Sequence, residues 1–263
     1  MKIDEVTITE AIASEYYRKF TSCLNLDVAL VGAGPSGMTA AWILAQKGFH
    51  VAIFERNLAI GGGMWGGGMT WNEIVVQEQS KALAEQIGIP LKEYKPGYYT
   101  ADAVAATTTL ASKATLSGAY IFNCLGVEDL VLRQEEDEHR VTGIVINSSP
   151  VQIAGFHVDP LVISSRFLVE CSGHELNALS TLVRKNDISL ATPSGGLEGE
   201  KSMWADRAET DTLENTREVF PGMYVAGMAA NACFGSYRMG PVFGGMLLSG
   251  QKVAHEIAER LSG

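Results

Sequence analysis

The chain of 263 residues reads as an α/β fold built on a parallel sheet, and three features predict it. An apolar run, Asp27 to Val31, passes straight into Gly32-Ala33-Gly34-Pro35-Ser36-Gly37, and a helix-like stretch follows. A second apolar run, Val51 to Phe54, ends in Glu55, eighteen residues beyond Gly37. A third, Met223 to Ala226, returns late in the chain and precedes a long helical pattern. Strand, glycine turn, helix, strand and terminal acid form the Rossmann-like layout of a dinucleotide site. Gly32 permits the tight turn, Gly34 lets the backbone approach a pyrophosphate, and Gly37 lets helix and strand pack closely. The helix N-terminus faces the negative charge. Glu55 can accept hydrogen bonds from a ribose diol and repels a 2′-phosphate, which favours NAD over NADP. The competing reading is a glycine-rich turn that binds nothing.

The remaining elements follow in order. Residues 1–24 predict a helical segment, centred on Glu10 to Phe20, that leads into the first strand. The helix after the glycine turn spans Ser36 to Lys47, where Gly48 ends it. Gly61 to Gly68 holds six glycines in eight positions and excludes a regular element. Its place after the ribose-binding strand favours backbone lying close to a ligand over a merely flexible loop. Gln77 to Ile87 and residues 101–117 read as helices. Ala119 to Asn123, Glu128 to Arg133 and Val141 to Ile146 read as strands, with a solvated acidic hairpin tip at Glu135 to Glu138. Arg166 to Cys171 is another strand. It feeds Ser172-Gly173-His174-Glu175, a Ser-x-x-Glu capping box for a helix reaching Lys185. Residues 191–216 are polar and predict a long surface loop or mobile lid. A last helix covers Val242 to Leu261. One α/β domain over 1–263 is expected, of the two-dinucleotide flavoprotein type. Its nucleotide-binding core would lie at about 25–60 and 220–263, with an inserted β-rich portion at about 90–215.

Composition narrows the function classes. A chain this long buries about three quarters of its unfolded surface, so a substantial core is expected. The formal net charge of −10 argues against a nucleic-acid partner. No apolar run is long enough to span a bilayer, and Met1 to Glu5 begins no signal-peptide pattern. Cys23, Cys124, Cys171 and Cys233 are scattered, as reduced thiols are, and a cytoplasmic location is expected. A flavin or nicotinamide oxidoreductase is the simple reading of the scaffold. Two features oppose it. Flavoproteins of this type usually close the cofactor site with Gly-Asp, and here Gly227 is followed by Met228. The chain is also too short for a second complete nucleotide domain.

At these residues the chain resembles the NAD-consuming thiazole synthases of thiamin biosynthesis. The resemblance covers nearly the whole length. It rests on Gly32 to Gly37, Glu55-Arg56, Gly61 to Met69, His157-Val158-Asp159-Pro160, Ser172 to Glu175, Gly199 to Asp206, Arg238 to Pro241 and Phe243 to Met246. It implies an adenylated thiazole made from NAD, glycine and one sulfur atom, with release of nicotinamide. Some family members give up the sulfur of a cysteine two residues before the Asp-Pro. His157 stands there in this chain, so the resemblance is to the branch that takes sulfide from solution, uses ferrous iron and turns over repeatedly.

The residues bear on that expectation directly. His157 and Asp159 lie two apart, so on an extended segment they share a face. Carboxylate plus imidazole suits ferrous iron, which would act as a Lewis acid and hold sulfide as a nucleophile. Taken alone, Asp159 and His174 are a thin motif, and a histidine at a helix start is commonly an ordinary polar residue. The resemblance assigns iron to Asp159 and His174 and places His157 near the nucleotide. It assigns Arg238 to the glycine carboxylate, which a planar guanidinium matches bidentately. It puts Ser36, Glu55, Arg56, Gly63, Val127 and Val158 on the NAD side, with Met228, Met239 and Gly240 lining the cofactor. It also implies a ring-like homo-octamer in which neighbouring subunits share the metal site. Two further activities compete with this one: isomerisation of ribose 1,5-bisphosphate, and nucleotide binding by a module that catalyses nothing.

Overall fold

The computed structural model describes residues 2–135 and 138–263. The chain runs through α1 (Glu5–Ser22), β1 (Asn25–Val31), α2 (Pro35–Gln46), β2 (Val51–Glu55), β3 (Glu73–Gln77), α3 (Glu78–Ile87), β4 (Lys92–Lys95), β5 (Tyr98–Asp102) and α4 (Ala103–Leu116). It continues with β6 (Tyr120–Asn123), β7 (Leu125–Glu135), β8 (Glu138–Ser148), α5 (Ser149–Ala154), β9 (Leu161–Glu170) and α6 (Asn177–Lys185). It closes with β10 (Lys201–Met203), α7 (Ala205–Asn215), β11 (Arg217–Phe220), β12 (Met223–Val225), α8 (Met228–Phe234), β13 (Tyr237–Arg238) and α9 (Gly244–Ser262).

The expected α/β class holds. The central sheet has the order β11-β12-β9-β1-β2-β6, and the five strands from β12 to β6 are parallel. The antiparallel pair β7 and β8 joins it through the first half of β9. Strands β6 and β9, from the 90–215 stretch, therefore belong to the same sheet as β1 and β2. Side-chain alternation sorts the core into two layers. Val28, Leu30, Val51, Ile53 and Val169 pack toward α2, α3, α4 and α9. Ala29, Val31, Ala52, Phe54 and Leu168 pack on the other face, toward α6, α8 and the β7–β8 pair.

Register carries the site. Val31 stands opposite both Phe54 and Glu170, and Val225 also pairs with Glu170. The carboxyl ends of β1, β2, β9 and β12 thus finish level, where ligands bind in open α/β sheets.

Helix α1 lies within the expected 1–24 segment and extends to Glu5 at its start, where Asp4 caps it by accepting the Thr7 amide at 2.8 Å. Several expectations are corrected. The glycine cluster is not wholly irregular: Gly62–Gly66 forms a 3-10 turn between left-handed glycines. Residues 191–216 are not one long loop. They contain β10 and α7, whose inner face is small and hydrogen-bonded: Ala208 and Thr212 are fully buried, and Asn231 Nδ2 donates to Thr212 Oγ1 at 2.8 Å. Their polar composition reflects that bonded inner face together with the charged outer one. The capping box does not form. Glu175 turns away to Arg56, while Ser172 Oγ accepts the Asn177 amide at 3.1 Å. Of the acidic tip at Glu135 to Glu138, residues 136 and 137 lie outside the described residues. The small sheet β3-β5-β4 has no counterpart in the sequence pattern, since β4 is exposed throughout and shows no apolar alternation.

Candidate active site

A cleft of about 700 Å³ opens where the parallel strands end. That volume lies within the usual range for a small-molecule site. The turn Gly32 to Gly37 and the N-terminus of α2 form one wall. Gly32 has φ +98°, and a Cβ there would meet the Cys171 carbonyl at 2.8 Å. A Cβ on Gly37 would collide with the Gly32 carbonyl. Both glycines are therefore required by the protein itself. Gly34 differs: its nearest obstacle is the Cys171 carbonyl at 3.9 Å, so the chain alone does not exclude a side chain there. What its missing Cβ leaves open is the cleft. No acidic residue occupies the first turn of α2, whose leading amides have no partner within the helix.

Glu55, at the end of β2, is buried, yet it lines the cleft. One carboxylate oxygen accepts the Ala33 amide at 2.9 Å. The other accepts the Asn57 amide and Asn57 Nδ2, each at 2.8 Å. It is thereby fixed against the glycine turn, with one lone pair, on the oxygen that accepts from Ala33, left for a hydroxyl donor.

A second wall, adjoining the glycine turn, is the turn after β9. Glu170 is fully buried beneath it. Its oxygens accept the amides of Ser172 at 2.9 Å, Ala178 at 2.7 Å and Leu179 at 3.0 Å. Burial raises its pKa against those hydrogen bonds. The carboxylate clamps the turn that displays His174 and Glu175. Glu175 pairs with Arg56 at 2.7 Å, and that guanidinium holds its carboxyl well below the usual range. His174 Nδ1 lies 2.7 Å from Glu200 Oε1. A carboxylate only accepts, so Nδ1 carries the hydrogen and Nε2 holds the lone pair of the neutral ring.

Of the expected residues, Gly32, Gly34, Ser36, Glu55, Arg56 and Gly63 line the cleft. So do Val127, His174, Met228, Arg238 and Gly240. The Arg238 guanidinium has no hydrogen-bond or ion-pair partner among the described residues, which leaves both its edges available to an anion. Gly37 and Met239 are buried behind the wall. His157, Val158 and Asp159 lie on an exposed stretch between α5 and β9 and do not line this cleft. No group of three or more potential metal-binding His, Cys, Asp or Glu side chains forms among the described residues. An imidazole and a carboxylate still suit ferrous iron, and His174 lines the cleft with its Nδ1 engaged by Glu200.

Sequence reasoning missed Glu175, Glu200 and Glu170. The first two lie in segments singled out for resemblance, but nothing local indicates that Glu175 reaches Arg56 or that Glu200 reaches His174 across 26 residues. Burial also pushes Cys171 up and Cys233 up to about 12, so both are held as thiols.

Residues 9–243 match the model of the Thi4 family. The chain belongs to the Thi4 family. A curated relative named thiamine thiazole synthase from Solidesulfovibrio magneticus is 67% identical over 263 residues and is covered over its full length, as is this chain. The relative of that name from Pyrococcus horikoshii is 51% identical over 98% of both chains. A crystal structure of Thermovibrio ammonificans THI4 superposes with a TM-score of 0.97 at 53% identity over 100% of both chains. OxyS anhydrotetracycline hydroxylase from Streptomyces rimosus gives a TM-score of 0.57 at 15% identity, covering 91% of this chain and 63% of that one. That likeness concerns the fold alone. Membership of the Thi4 family is as the motifs implied, and no helix among the described residues is long and apolar enough to cross a membrane.

Proposed function

We propose that this Thi4 family member is a thiazole synthase of thiamin biosynthesis. In this reading it forms the adenylated thiazole, ADP-5-ethyl-4-methylthiazole-2-carboxylate, from NAD, glycine and sulfide. The observation that carries the reading is one cleft lined by a glycine-rich strand-to-helix turn, an Arg238 guanidinium with no partner among the described residues, and an imidazole at His174. The family membership and the full-length relatives named thiamine thiazole synthase support it.

Each residue then has a task. The α2 N-terminus and Gly34 receive the pyrophosphate, Glu55 accepts from the adenosine ribose, and Arg56 stacks near the adenine. The bond between nicotinamide and its ribose breaks and nicotinamide leaves. The exposed sugar rearranges and condenses with the glycine amine, while Arg238 holds the glycine carboxylate. His174 and Asp159 would hold ferrous iron, which when bound supplies Lewis-acid chemistry for sulfide. His157, in place of a cysteine, offers no sulfur. Cys23, Cys171 and Cys233 are buried, and the half-buried Cys124 does not line the cleft. These features favour sulfide from solution and repeated turnover.

The same reading makes the enzyme a homo-octamer whose neighbouring chains share the metal site. Ile153, Phe156, Leu161 and Val162, around the segment that bears Asp159, are 87%, 69%, 60% and 56% exposed in one chain. Exposed apolar side chains grouped in this way mark an interaction surface.

Anaerobic protein supplied with ferrous iron, NAD, glycine and sulfide should release nicotinamide and accumulate more adenylated thiazole than there is enzyme. Mass spectrometry of product and of intact protein checks both. No thiazole under those conditions overturns the activity. Product limited to one equivalent, with sulfur lost from the protein, overturns the sulfide source.

A further inference from the structure

Glu200 takes no part in the nucleotide cradle, yet it contacts His174 at 2.7 Å. Most exposed ion pairs hold two flexible side chains and contribute little. This pair differs because both backbones are pinned. On one side, the Gly199 amide donates to the Ala232 carbonyl at 3.1 Å and the Lys201 amide to the Ser236 carbonyl at 2.8 Å. Glu200 is thus fastened before and after, and its side chain is only 20% exposed. On the other side, Glu170 clamps the Ser172 amide and Arg56 grips Glu175. Between those anchors the His174 ring keeps only its side-chain torsions.

We infer that Glu200 is a positioning residue for His174: its carboxylate fixes the ring and its tautomer so that Nε2 faces a divalent metal ion. The inference rests on the proposed role of His174 as a ligand. Metal-bound histidines generally donate their other nitrogen to a carboxylate or carbonyl, and removing that acceptor weakens metal binding by about 10–100-fold. The arrangement also ties the metal ligand to the substrate anchor. Met203 pairs with Arg238 in the β10–β13 ladder, and the Trp204 amide donates to the Arg238 carbonyl at 3.1 Å. The strand that follows Glu200 thereby sets the backbone of Arg238. A shift of Glu200 would move imidazole and guanidinium relative to each other.

Cobalt(II), titrated into the assembled protein and followed by its visible absorption, provides the test. Glu200→Ala should weaken cobalt binding by about 10–100-fold and alter the band shape. Glu200→Gln, whose amide oxygen still accepts from Nδ1, should stay within a few-fold of wild type, as should NAD affinity and the melting midpoint in both variants. Cobalt affinity and spectrum unchanged in Glu200→Ala would overturn the inference. If His174→Ala loses cobalt while Glu200→Ala does not, only the role of Glu200 falls. If His174→Ala binds cobalt like wild type, the reading of His174 falls and Glu200 with it. Should Glu200→Ala fail to fold, Glu200→Asp, one methylene short of the ring, must show the same loss.

Discussion

Gly34 and Gly37 look alike in the sequence and do different work. Gly37 has the Gly32 carbonyl where its Cβ would sit, whereas Gly34 has only a carbonyl at 3.9 Å. Gly37→Ala should therefore lower the melting midpoint. Gly34→Ala should leave it unchanged and weaken NAD binding, as thermal unfolding and calorimetric titration would show. Glu55→Ala should weaken NAD by about 1–3 kcal/mol, the scale of a hydrogen bond to a charged group. Calorimetry that finds no loss would remove Glu55 from the ribose site. This wall of the cleft was legible because its fingerprint is local: glycine turn, strand and terminal acid lie within 24 residues, from Gly32 to Glu55, and all three line the cleft. The partners of the site were not legible. Glu200 meets His174 only because the α8–β13 segment carries it there, and Glu175 abandons its cap for Arg56 because the β2 and β9 ends finish level.

At the level of elements, apolar periodicity found the helices and strands that bury a face and missed those that do not. Helix α2 and strands β1, β2 and β12 were plain. Strand β4 is wholly exposed, and α7 buries Ala208, Asp211 and Thr212, residues that carry little hydrophobic signal. Helix α7 nevertheless supplies a working part. Glu209 accepts the Gly245 amide at 2.7 Å, caps α9 beside the cleft wall, and also meets Gln77. Burial pushes its carboxyl up from 4.5 to about 7. A raised carboxyl pKa favours the folded state while the group stays protonated. That contribution is complete below pH 4.5 and is lost as pH rises through about 7. Relative to Glu209→Gln, wild type should lose stability between pH 5 and 8, as denaturant titrations at the two pH values would report. Parallel curves would exclude Glu209 as the titrating cap.

For the whole molecule, four strand ends brought level by register create the cleft, and the apolar segment around residues 153–162 is left facing outward. Phe156→Asp with Leu161→Asp should break the assembly into smaller species, measured by sedimentation velocity, while the sheet and its cradle persist in circular dichroism. An unchanged sedimentation coefficient would place the contact elsewhere. The sequence carried the sheet in its short apolar runs. It could not carry an interface, since exposure of these side chains becomes visible only once the chain has folded. Glu170 has a final consequence at this scale. By gripping amides on both flanks of the His174 turn, it makes that turn an extension of β9 and gives the imidazole the stiffness of the sheet. The tolerance of this enzyme to change in length should therefore vanish between Cys171 and Asn177: one residue inserted there would misaim the ring without touching it.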